Sequence, residues 1–349
     1  MLRTLSLCLA LAVGGAAAAQ DCDYKRPPQS AEMKAAEEMR KTEGNPLALV
    51  MRMRAITDKE PGNALAWLWR GQAEATAGDF GSAWDSLTKA VDLDPCDPYA
   101  RVTRAGLAEK AGRLRVAYED YSAILARHPN NPAALRLRGD LLFGVAEFSA
   151  ALVDYDAAVA AGSEDVDLLL NRGGLMQEFG RFNDAIADYD KILAREKDNA
   201  EALVARGYSE FFLGNFVAAE PDLAVGAELN QNAAAWTFLA RARLGKADAV
   251  RRFVEDTKKL QRADWIGTVA RMFELGAADD LLLQTAGDDD ERRCNVYFYL
   301  GELALAKADK PRAKNLFEKG ADACPKDPTR TNGSLREYVA LTEELKRMR

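Results

Sequence analysis

Apolar residues recur along most of this chain at the three-to-four-residue spacing of amphipathic helices, in short stretches that glycines and prolines interrupt. The clearest unit runs from 166 to 199. It contains one amphipathic stretch, a turn at Gly180-Arg181-Phe182 and a second amphipathic stretch. A segment of this length cannot bury its apolar face alone, so the pattern predicts a helical hairpin that recurs and stacks on its own kind.

The unit does recur. From Ser30 a frame of 34 residues repeats without a gap over 30–63, 64–97, 98–131, 132–165, 166–199 and 200–233. Small residues hold positions 8 and 20 of the frame, namely Gly71, Ala105, Gly139, Gly173 and Gly207, then Ala83, Ala117, Ala151, Ala185 and Ala219. Position 24 holds larger residues, which are Leu87, Tyr121, Tyr155, Tyr189 and Leu223. Small residues let two helices approach and large ones fill the space beside them, so these positions predict the interior of each hairpin.

A 34-residue repeat with these residues resembles the tetratricopeptide repeat (TPR). The resemblance covers 64–233 and returns at 294–327, where Gly301, Ala313 and Phe317 take the same three positions. It implies an all-α fold. We expect a tandem TPR helix-hairpin solenoid, a right-handed superhelix, with an irregular helical insert and a C-terminal capping helix.

The chain therefore divides into seven predicted segments. They are a signal peptide (1–19), an extended leader (20–29), a degenerate N-terminal capping repeat (30–63), five TPR repeats (64–233), a repeat helix plus irregular helical insert (234–293), a further TPR repeat (294–327) and a C-terminal capping helix (328–349). A polar outer face on such terminal caps keeps a repeat array soluble.

Residues 1–19 have the pattern of a secretory signal peptide, with a basic residue, an apolar run over 5–13 and small residues at Ala17-Ala18-Ala19. The apolar run is shorter than the roughly 20 residues of a membrane span. Neither Cys8 nor Cys22 follows the small residue that usually precedes a lipid-modified cysteine. We expect an exported protein that is soluble after cleavage, without stable membrane insertion, and periplasmic in a Gram-negative bacterium.

Four cysteines remain after that cleavage, and an even count in an exported chain suggests disulfides with three possible connectivities. Cys294 and Cys324 stand at the start of the first helix and the end of the second helix of one hairpin. Antiparallel packing brings those two points to the same end, so we predict a Cys294–Cys324 disulfide. A second, weaker prediction pairs Cys22 with Cys96 through the extended leader.

A charged pair recurs with the frame. Arginines hold position 7, and an aspartate follows each of them sixteen residues later, as in Arg104 with Asp120, Arg138 with Asp154, Arg172 with Asp188 and Arg206 with Asp222. The spacing places each pair on facing helices of a hairpin. We interpret these residues as a structural ladder of ion pairs rather than as a row of ligand-binding guanidinium groups.

Charge and residue types argue against several functions. A formal net charge of −7 disfavours a nucleic-acid partner, which requires clustered Lys and Arg. The one histidine, His128, precedes Pro129 in a turn, so histidine-based triads and zinc sites are disfavoured. We expect no enzyme activity, no cofactor and no metal. The alternatives are an enzyme, or an enzyme's regulatory subunit, with its chemistry in 246–293, and a structural subunit of an envelope assembly.

In tandem hairpins the first helices line an inner groove, which is where we expect a protein partner, as a peptide or a helix. The predicted groove residues are Leu68, Gln72, Tyr99, Arg136, Asp140, Phe143, Tyr208, Phe211 and Phe212. The last three make the fifth repeat aromatic at this face. They are expected either to pack beneath the irregular helices at 246–293 or to dock an apolar peptide or helix.

The arrangement also resembles the NlpI-type periplasmic TPR proteins, in which an irregular insert containing a Trp (Trp265 here) precedes a repeat like the one at 294–301 and ending near Cys324-Pro325. That resemblance implies an adaptor that forms a homodimer and presents peptidoglycan hydrolases to a processing protease. The chain departs from it in lacking a lipid-modified cysteine.

Overall fold

The computed structural model describes residues 30–42, 45–227, 230–259, 265–324 and 335–349, and in these ranges the regular structure is helical throughout. The predicted signal peptide, the leader and Cys22 lie outside the described residues. By its internal contacts the chain forms two compact units, Met1–Val145 and Ala146–Arg349. The all-α fold of tandem helical hairpins predicted from the 34-residue frame is confirmed.

The first unit contains seven described helices: α1 (Ala31–Thr42), α2 (Pro46–Lys59), α3 (Ala64–Thr76), α4 (Phe80–Leu93), α5 (Pro98–Lys110), α6 (Leu114–Arg127) and α7 (Pro132–Gly144). Its core includes Met33, Met53, Ile56, Trp69 and Leu87. Met33 and Met53, whose flexible side chains suit irregular gaps, therefore fill space in this core.

The second unit contains the other described helices: α8 (Phe148–Ala160), α9 (Val166–Glu178), α10 (Phe182–Arg195), α11 (Ala200–Leu213), α12 (Phe216–Ala227), α13 (Gln231–Arg243), α14 (Ala249–Lys259), α15 (Trp265–Glu274), α16 (Asp279–Ala286), α17 (Asp290–Ala306), α18 (Lys310–Ala323) and α19 (Leu335–Arg347). One aromatic core joins the repeat helices α11 and α12 to α13, α17 and α18, with α19 packed against it.

Glycine at position 8 of the first helix lets the side chain at position 24 of the second helix lie directly against the first helix. A Cβ added to Gly71 would lie 2.6 Å from Leu87 Cγ, and one added to Gly173 would lie 2.6 Å from Tyr189 Cε1. Gly207 meets Leu223 in the same way at 2.9 Å. The close approach predicted from the frame is therefore a property of these hairpins, and a methyl group added at Gly71, Gly173 or Gly207 would collide with the facing side chain.

The first helices of the repeats begin at a capping residue that recurs every 34 residues. The side chains of Asn63, Asp97, Asn131, Asp165 and Asn199 each accept a hydrogen bond from a backbone N–H in the first turn of α3, α5, α7, α9 and α11. Such caps satisfy N–H groups that have no partner inside the helix, which fixes where each repeat starts.

The turn between the two helices of a hairpin needs a left-handed residue. Glycine supplies it at φ 84° for Gly78 and φ 82° for Gly214. Ala308 adopts the same conformation at φ 59° between α17 and α18, although its Cβ makes the conformation costly.

The arginine at position 7 joins two consecutive hairpins. Arg172 donates from Nε to Asp188 at 2.6 Å and from Nη1 to Asp156 at 3.0 Å. Arg206 repeats the arrangement with Asp222 and Asp190, both at 2.7 Å. Asp188 is buried, so the guanidinium neutralises a carboxylate inside the fold while tying the hairpin to the one before it. The ladder is thus structural, as predicted for these pairs.

Candidate functional site

In the first unit, the predicted groove residues on α5 and α7 lie at the surface. The Tyr99 side chain is 68% exposed and Phe143 is 39% exposed. Tyr99, Thr103 and Gly106 follow each other at i, i+4 and i+7, so they share one face of α5. A Cβ added to Gly106 would meet nothing within 4 Å, which shows that the space beside this face is open.

The polar groove residues of the first unit form specific contacts on the same face. Gln72 Nε2 of α3 donates to Thr103 Oγ1 of α5 at 3.3 Å, which joins neighbouring first helices. On α7, Arg136 Nη1 donates to Asp140 Oδ2 at 2.7 Å, and the two side chains stay about one-third exposed. Arg136, Asp140 and Phe143 again stand at i, i+4 and i+7, so charge and an aromatic ring share one helix face.

Leu68 is the exception in the first unit, and its assignment to the groove surface is wrong. Its side chain is 3% exposed and belongs to the core that contains Trp69 and Leu87. Position 5 of this repeat therefore faces the packed interior. The leucine is fully desolvated there, so it is not available to a partner.

In the second unit the aromatic face of α11 is closed. Tyr208, Phe211 and Phe212 are each no more than 2% exposed, so their prediction as an accessible partner surface is corrected. Trp236 of α13 packs on Tyr208 and Phe211 with ring centroids 5.2 Å and 4.9 Å apart, edge to face. Phe298 of α17 lies 5.0 Å from Trp236 and completes the cover. Three large rings would each expose much apolar area, so burial here is strongly favoured.

The irregular insert was one of the two expected neighbours of these rings, and it packs elsewhere. Phe253 of α14 stacks on Phe238 of α13 with centroids 4.7 Å apart, and Phe273 of α15 lies 5.5 Å from the same ring. Arg241 bonds to Glu220 at 2.8 Å on that side of α13. The insert therefore covers Phe238, while α13, α17 and α19 enclose Tyr208, Phe211 and Phe212.

The last helix brings polar groups to the closed face. The Arg336 guanidinium lies 4.4 Å from the ring centroid of Tyr208, a cation–π contact. Trp236 Nε1 donates to Glu337 Oε1 at 3.2 Å. The sequence pattern did not identify Glu337, because its partners come from helices outside the regular frame.

A second polar group lies two helical turns further along α19. Arg243 Nη1 of α13 donates to Glu302 Oε2 of α17 at 2.6 Å and to Glu344 Oε1 of α19 at 3.4 Å. Arg347 Nη1 donates to Glu344 Oε1 at 2.5 Å. Two carboxylates and two guanidinium groups thus meet where α13, α17 and α19 converge. The sequence signal that marks them is the spacing of Glu337 and Glu344 on the apolar side of an amphipathic helix.

Burial raises the pKa values of several groups in this cluster. Desolvation raises the pKa of Glu337 to about 7, and it raises the pKa of Glu302 to about 7 against the opposing attraction of Arg243. Desolvation also raises the pKa of Tyr299 well above its usual value. Within the described part of the chain, Glu337 Oε2, Glu302 Oε1 and the Tyr299 hydroxyl have no hydrogen-bond partner. Each such buried group costs about 1–3 kcal/mol of stability.

The last hairpin is covalently closed. Cys294 near the start of α17 and Cys324 after α18 form a disulfide with Cα atoms 4.6 Å apart. The bond fixes the hairpin that supplies Phe298, Tyr299 and Glu302 to the cluster. The second predicted pair, Cys22 with Cys96, includes a residue outside the described part of the chain and stays a prediction.

Among the described residues, no group of three or more His, Cys, Asp or Glu is placed to hold a metal ion. Within the same ranges, no helix is long and apolar enough to cross a membrane.

A comparison with protein families finds one match, to the tetratricopeptide repeat, over residues 52–98 and 177–234. The matched ranges include α3 and α4 of the first unit and α10 to α12 of the second. Among curated proteins, no relative matches the chain.

Many solved structures are similar in fold. A tetratricopeptide repeat protein from Parabacteroides merdae is 20% identical, with 80% of this chain and 98% of that chain covered and a TM-score of 0.47. Pseudomonas aeruginosa pilF is 16% identical, covering 60% and 96% at a TM-score of 0.48. YrrB, a TPR protein with an unusual peptide-binding site, is 15% identical, covering 50% and 89% at a TM-score of 0.44. Similarity at this level does not extend beyond the fold.

Proposed function

Because the chain carries tetratricopeptide repeats, we propose that it is a non-catalytic adaptor or scaffold that binds a protein partner, as a peptide or helix, on the inner face of its first unit. The observation that carries the proposal is the open face of α5 and α7. There the aromatic side chains of Tyr99 and Phe143 remain exposed beside Gln72 and the Arg136–Asp140 pair. Exposed aromatic rings next to charged groups are typical of protein-binding surfaces.

The predicted groove residues differ between the two units. On α11 the rings are buried in the core of the second unit, whereas on α5 and α7 residues at equivalent repeat positions stay exposed. Binding therefore involves Gln72, Tyr99, Arg136, Asp140 and Phe143. An extended or helical segment with both apolar and charged side chains fits this mixture.

Filling the open space beside α5 tests the proposal. Gly106→Leu places a side chain where an added Cβ meets nothing, and leucine favours helix over glycine, so the fold is expected to persist. Gly81→Leu on the second helix α4 is the matched control, since its added Cβ meets only Asp79 Oδ1 at 3.9 Å.

The readout is site-specific photocrosslinking in cells of the source organism. A photoreactive residue at position 99 or 143 is expected to yield one discrete protein adduct, and the same residue at exposed positions 80 and 217 is expected to yield none. Gly106→Leu should abolish the adduct and Gly81→Leu should leave it unchanged. Equal adducts from all four positions, or an adduct insensitive to Gly106→Leu, would refute binding at this face.

The signal-peptide pattern predicted at 1–19 supports a periplasmic location for this adaptor. The resemblance of the insert and last repeat to NlpI-type proteins supports a homodimer that presents peptidoglycan hydrolases to a processing protease. Cell fractionation and the mass of the mature N-terminus test the location. A protein recovered in the cytoplasm with residues 1–19 intact would contradict it.

A further inference from the structure

Helix α19 packs on α18 and extends across α11, α13 and α17, where it lies in the way that a bound helix lies in a groove. Its Ala340 and Leu341 are buried in the aromatic core, while Lys346 on its other side is exposed. Arg336 and Glu337 contact Tyr208 and Trp236 near its start, and Glu344 contacts Arg243 two turns later. An apolar helix face laid into an apolar groove is the pattern by which amphipathic helices dock, and α19 adds polar contacts at both ends of that face.

We propose that the inner face of the second unit is a helix-binding groove that α19 occupies in cis, and that a partner helix can replace α19 there. The partner's chemistry follows from the anchors that α19 uses. It is an amphipathic helix with small and branched apolar residues on one stripe and two carboxylates seven residues apart on its edge. The first carboxylate accepts from the Trp236 indole N–H and the second pairs with Arg243.

The contacts of α19 differ from those of a permanent cap. A helix that only closes a repeat array needs an apolar inner face and a polar outer face. Helix α19 instead buries two carboxylates, Glu337 and Glu344, of which Glu337 keeps one oxygen without a described hydrogen-bond partner. Its docking also closes over Glu302 of α17, another buried carboxylate. Desolvating these groups opposes docking. The net free energy that holds α19 in place is therefore the difference between the gain from its contacts and the cost of desolvating the carboxylates.

The same groups make the docking depend on pH. The groups facing Glu337 are Arg336, Trp236, Tyr208, Tyr299 and Glu291, and those facing Glu302 are Arg243, Glu344 and Arg347. Glu337 lies on α19 itself, so burial raises its pKa to about 7 and the carboxyl takes up a proton when the helix docks. The contribution of this carboxyl to docking therefore falls as pH rises from about 4.5 to 7, which weakens docking over that range.

This groove is separate from the open face of α5 and α7 and does not depend on the function proposed for that face. Failure of the Gly106→Leu experiment would leave the α19 groove untouched. Conversely, a permanently docked α19 would leave the first unit free to bind its own partner.

Hydrogen exchange of the intact wild-type chain is the first test. Amides of α19 are expected to exchange through a local opening, at least tenfold faster than those of α13 and α17 at pH 7.5, after correction for intrinsic rates. Lowering the pH to 5.5 should raise the protection of α19 relative to α13 by at least tenfold. Exchange of α19 at the same protection as α13 at both pH values would overturn the proposal.

Binding in trans is the second test, with a fluorescent peptide of residues 335–349 as the probe. The full-length Leu341→Asp variant, whose own α19 carries a charge at a buried position, is expected to bind this peptide, and wild type at least tenfold more weakly. A Glu344→Gln peptide should bind the variant at least tenfold more weakly, because it loses its charge pairing with Arg243.

Two controls keep this test decisive. Lys346→Ala changes an exposed residue of α19 and should behave as wild type. If Leu341→Asp unfolds the second unit, circular dichroism will show it, and the hydrogen exchange of wild type then decides alone. A folded Leu341→Asp protein that binds no peptide would contradict a replaceable helix.

Discussion

At the scale of single residues, the fold depends on where glycine replaces a side chain. Gly173 lies against the Tyr189 ring, whereas its neighbour Gly174 faces open space. The frame predicts this distinction, because Gly173 is at position 8 and Gly174 is not. Of these two adjacent glycines, only Gly173 is therefore required by close packing.

Gly173→Ala is expected to lower the free energy of unfolding by about 1–3 kcal/mol, because the new methyl group would lie 2.6 Å from Tyr189 Cε1. Gly174→Ala is expected to raise it by about 0.5–1 kcal/mol through helix propensity, since nothing lies within 4 Å. Urea denaturation measures both variants. Equal effects of the two substitutions would show that the hairpin does not depend on the close approach at position 8.

At the scale of elements, consecutive hairpins are held by buried charge as well as by apolar packing. Arg172 makes hydrogen bonds to Asp188 of its own hairpin and Asp156 of the preceding one. The carboxylate of Asp188 is desolvated, so its stability depends on the guanidinium.

Arg172→Ala is expected to lower the free energy of unfolding by about 3 kcal/mol, because it leaves Asp188 buried beside only the partly exposed Lys191 at 3.5 Å. Arg181→Ala is the control. It removes ion pairs with Asp184 at 2.8 Å and with Asp156 at 3.8 Å in which all the side chains are about half-exposed, and it should change stability by about 1 kcal/mol or less. A loss below about 1 kcal/mol for Arg172→Ala would mean that water reaches Asp188.

The disulfide acts on the α17–α18 hairpin in another way, by restricting the unfolded chain. Replacing both Cys294 and Cys324 by alanine is expected to cost roughly 3–4 kcal/mol for a loop with a sequence separation of 30. Thermal unfolding of the variant, with the reduced wild type for comparison, measures this. An unchanged stability would show that the hairpin is already ordered in the unfolded state.

The elements also show where prediction from sequence succeeds. The regular helices follow from short-range spacing, so the frame identifies Gly173, Tyr189 and the Arg172–Asp188 pair. The closure over Tyr208 does not follow, because Trp236 and Phe298 come from helices beyond the uninterrupted frame at 30–233. Position in a repeat reports which helix face a residue occupies. It does not report whether a distant segment later covers that face. For the same reason the sequence did not identify the contacts of Glu337 and Glu344 on α19.

At the scale of the whole molecule, the second unit contains two buried acids, Glu302 and Glu337, whose pKa values are raised. The single histidine, His128, belongs to the first unit. A change in the second unit near pH 6 to 7 therefore reports buried carboxyls such as Glu302 and Glu337, whose pKa values desolvation raises to about 7.

We expect the free energy of unfolding to fall as pH rises from about 4.5 to 7, by at most about 1.4 kcal/mol per pH unit for each of these two groups. The sign follows because a pKa raised by folding contributes stability at low pH that is lost as pH rises. Glu337→Gln should reduce the slope, whereas Glu343→Gln, which removes an exposed ion pair with Lys346, should not. Urea denaturation followed by circular dichroism measures both variants at each pH, and a slope unaffected by Glu337→Gln would contradict the assignment.

The hydrogen bond between Trp236 and Glu337 also bears on the order in which parts of the chain fold. It joins residues 101 positions apart, in a fold whose other contacts mostly link neighbouring helices. Repeat helices can pack as they emerge, one hairpin on the last, during synthesis. The indole of Trp236 and the rings beside it, however, remain partly uncovered until α19 has been synthesised. A nascent chain therefore presents this face for the time needed to translate about a hundred codons, which exposes it to chaperones first and to its own C-terminus last.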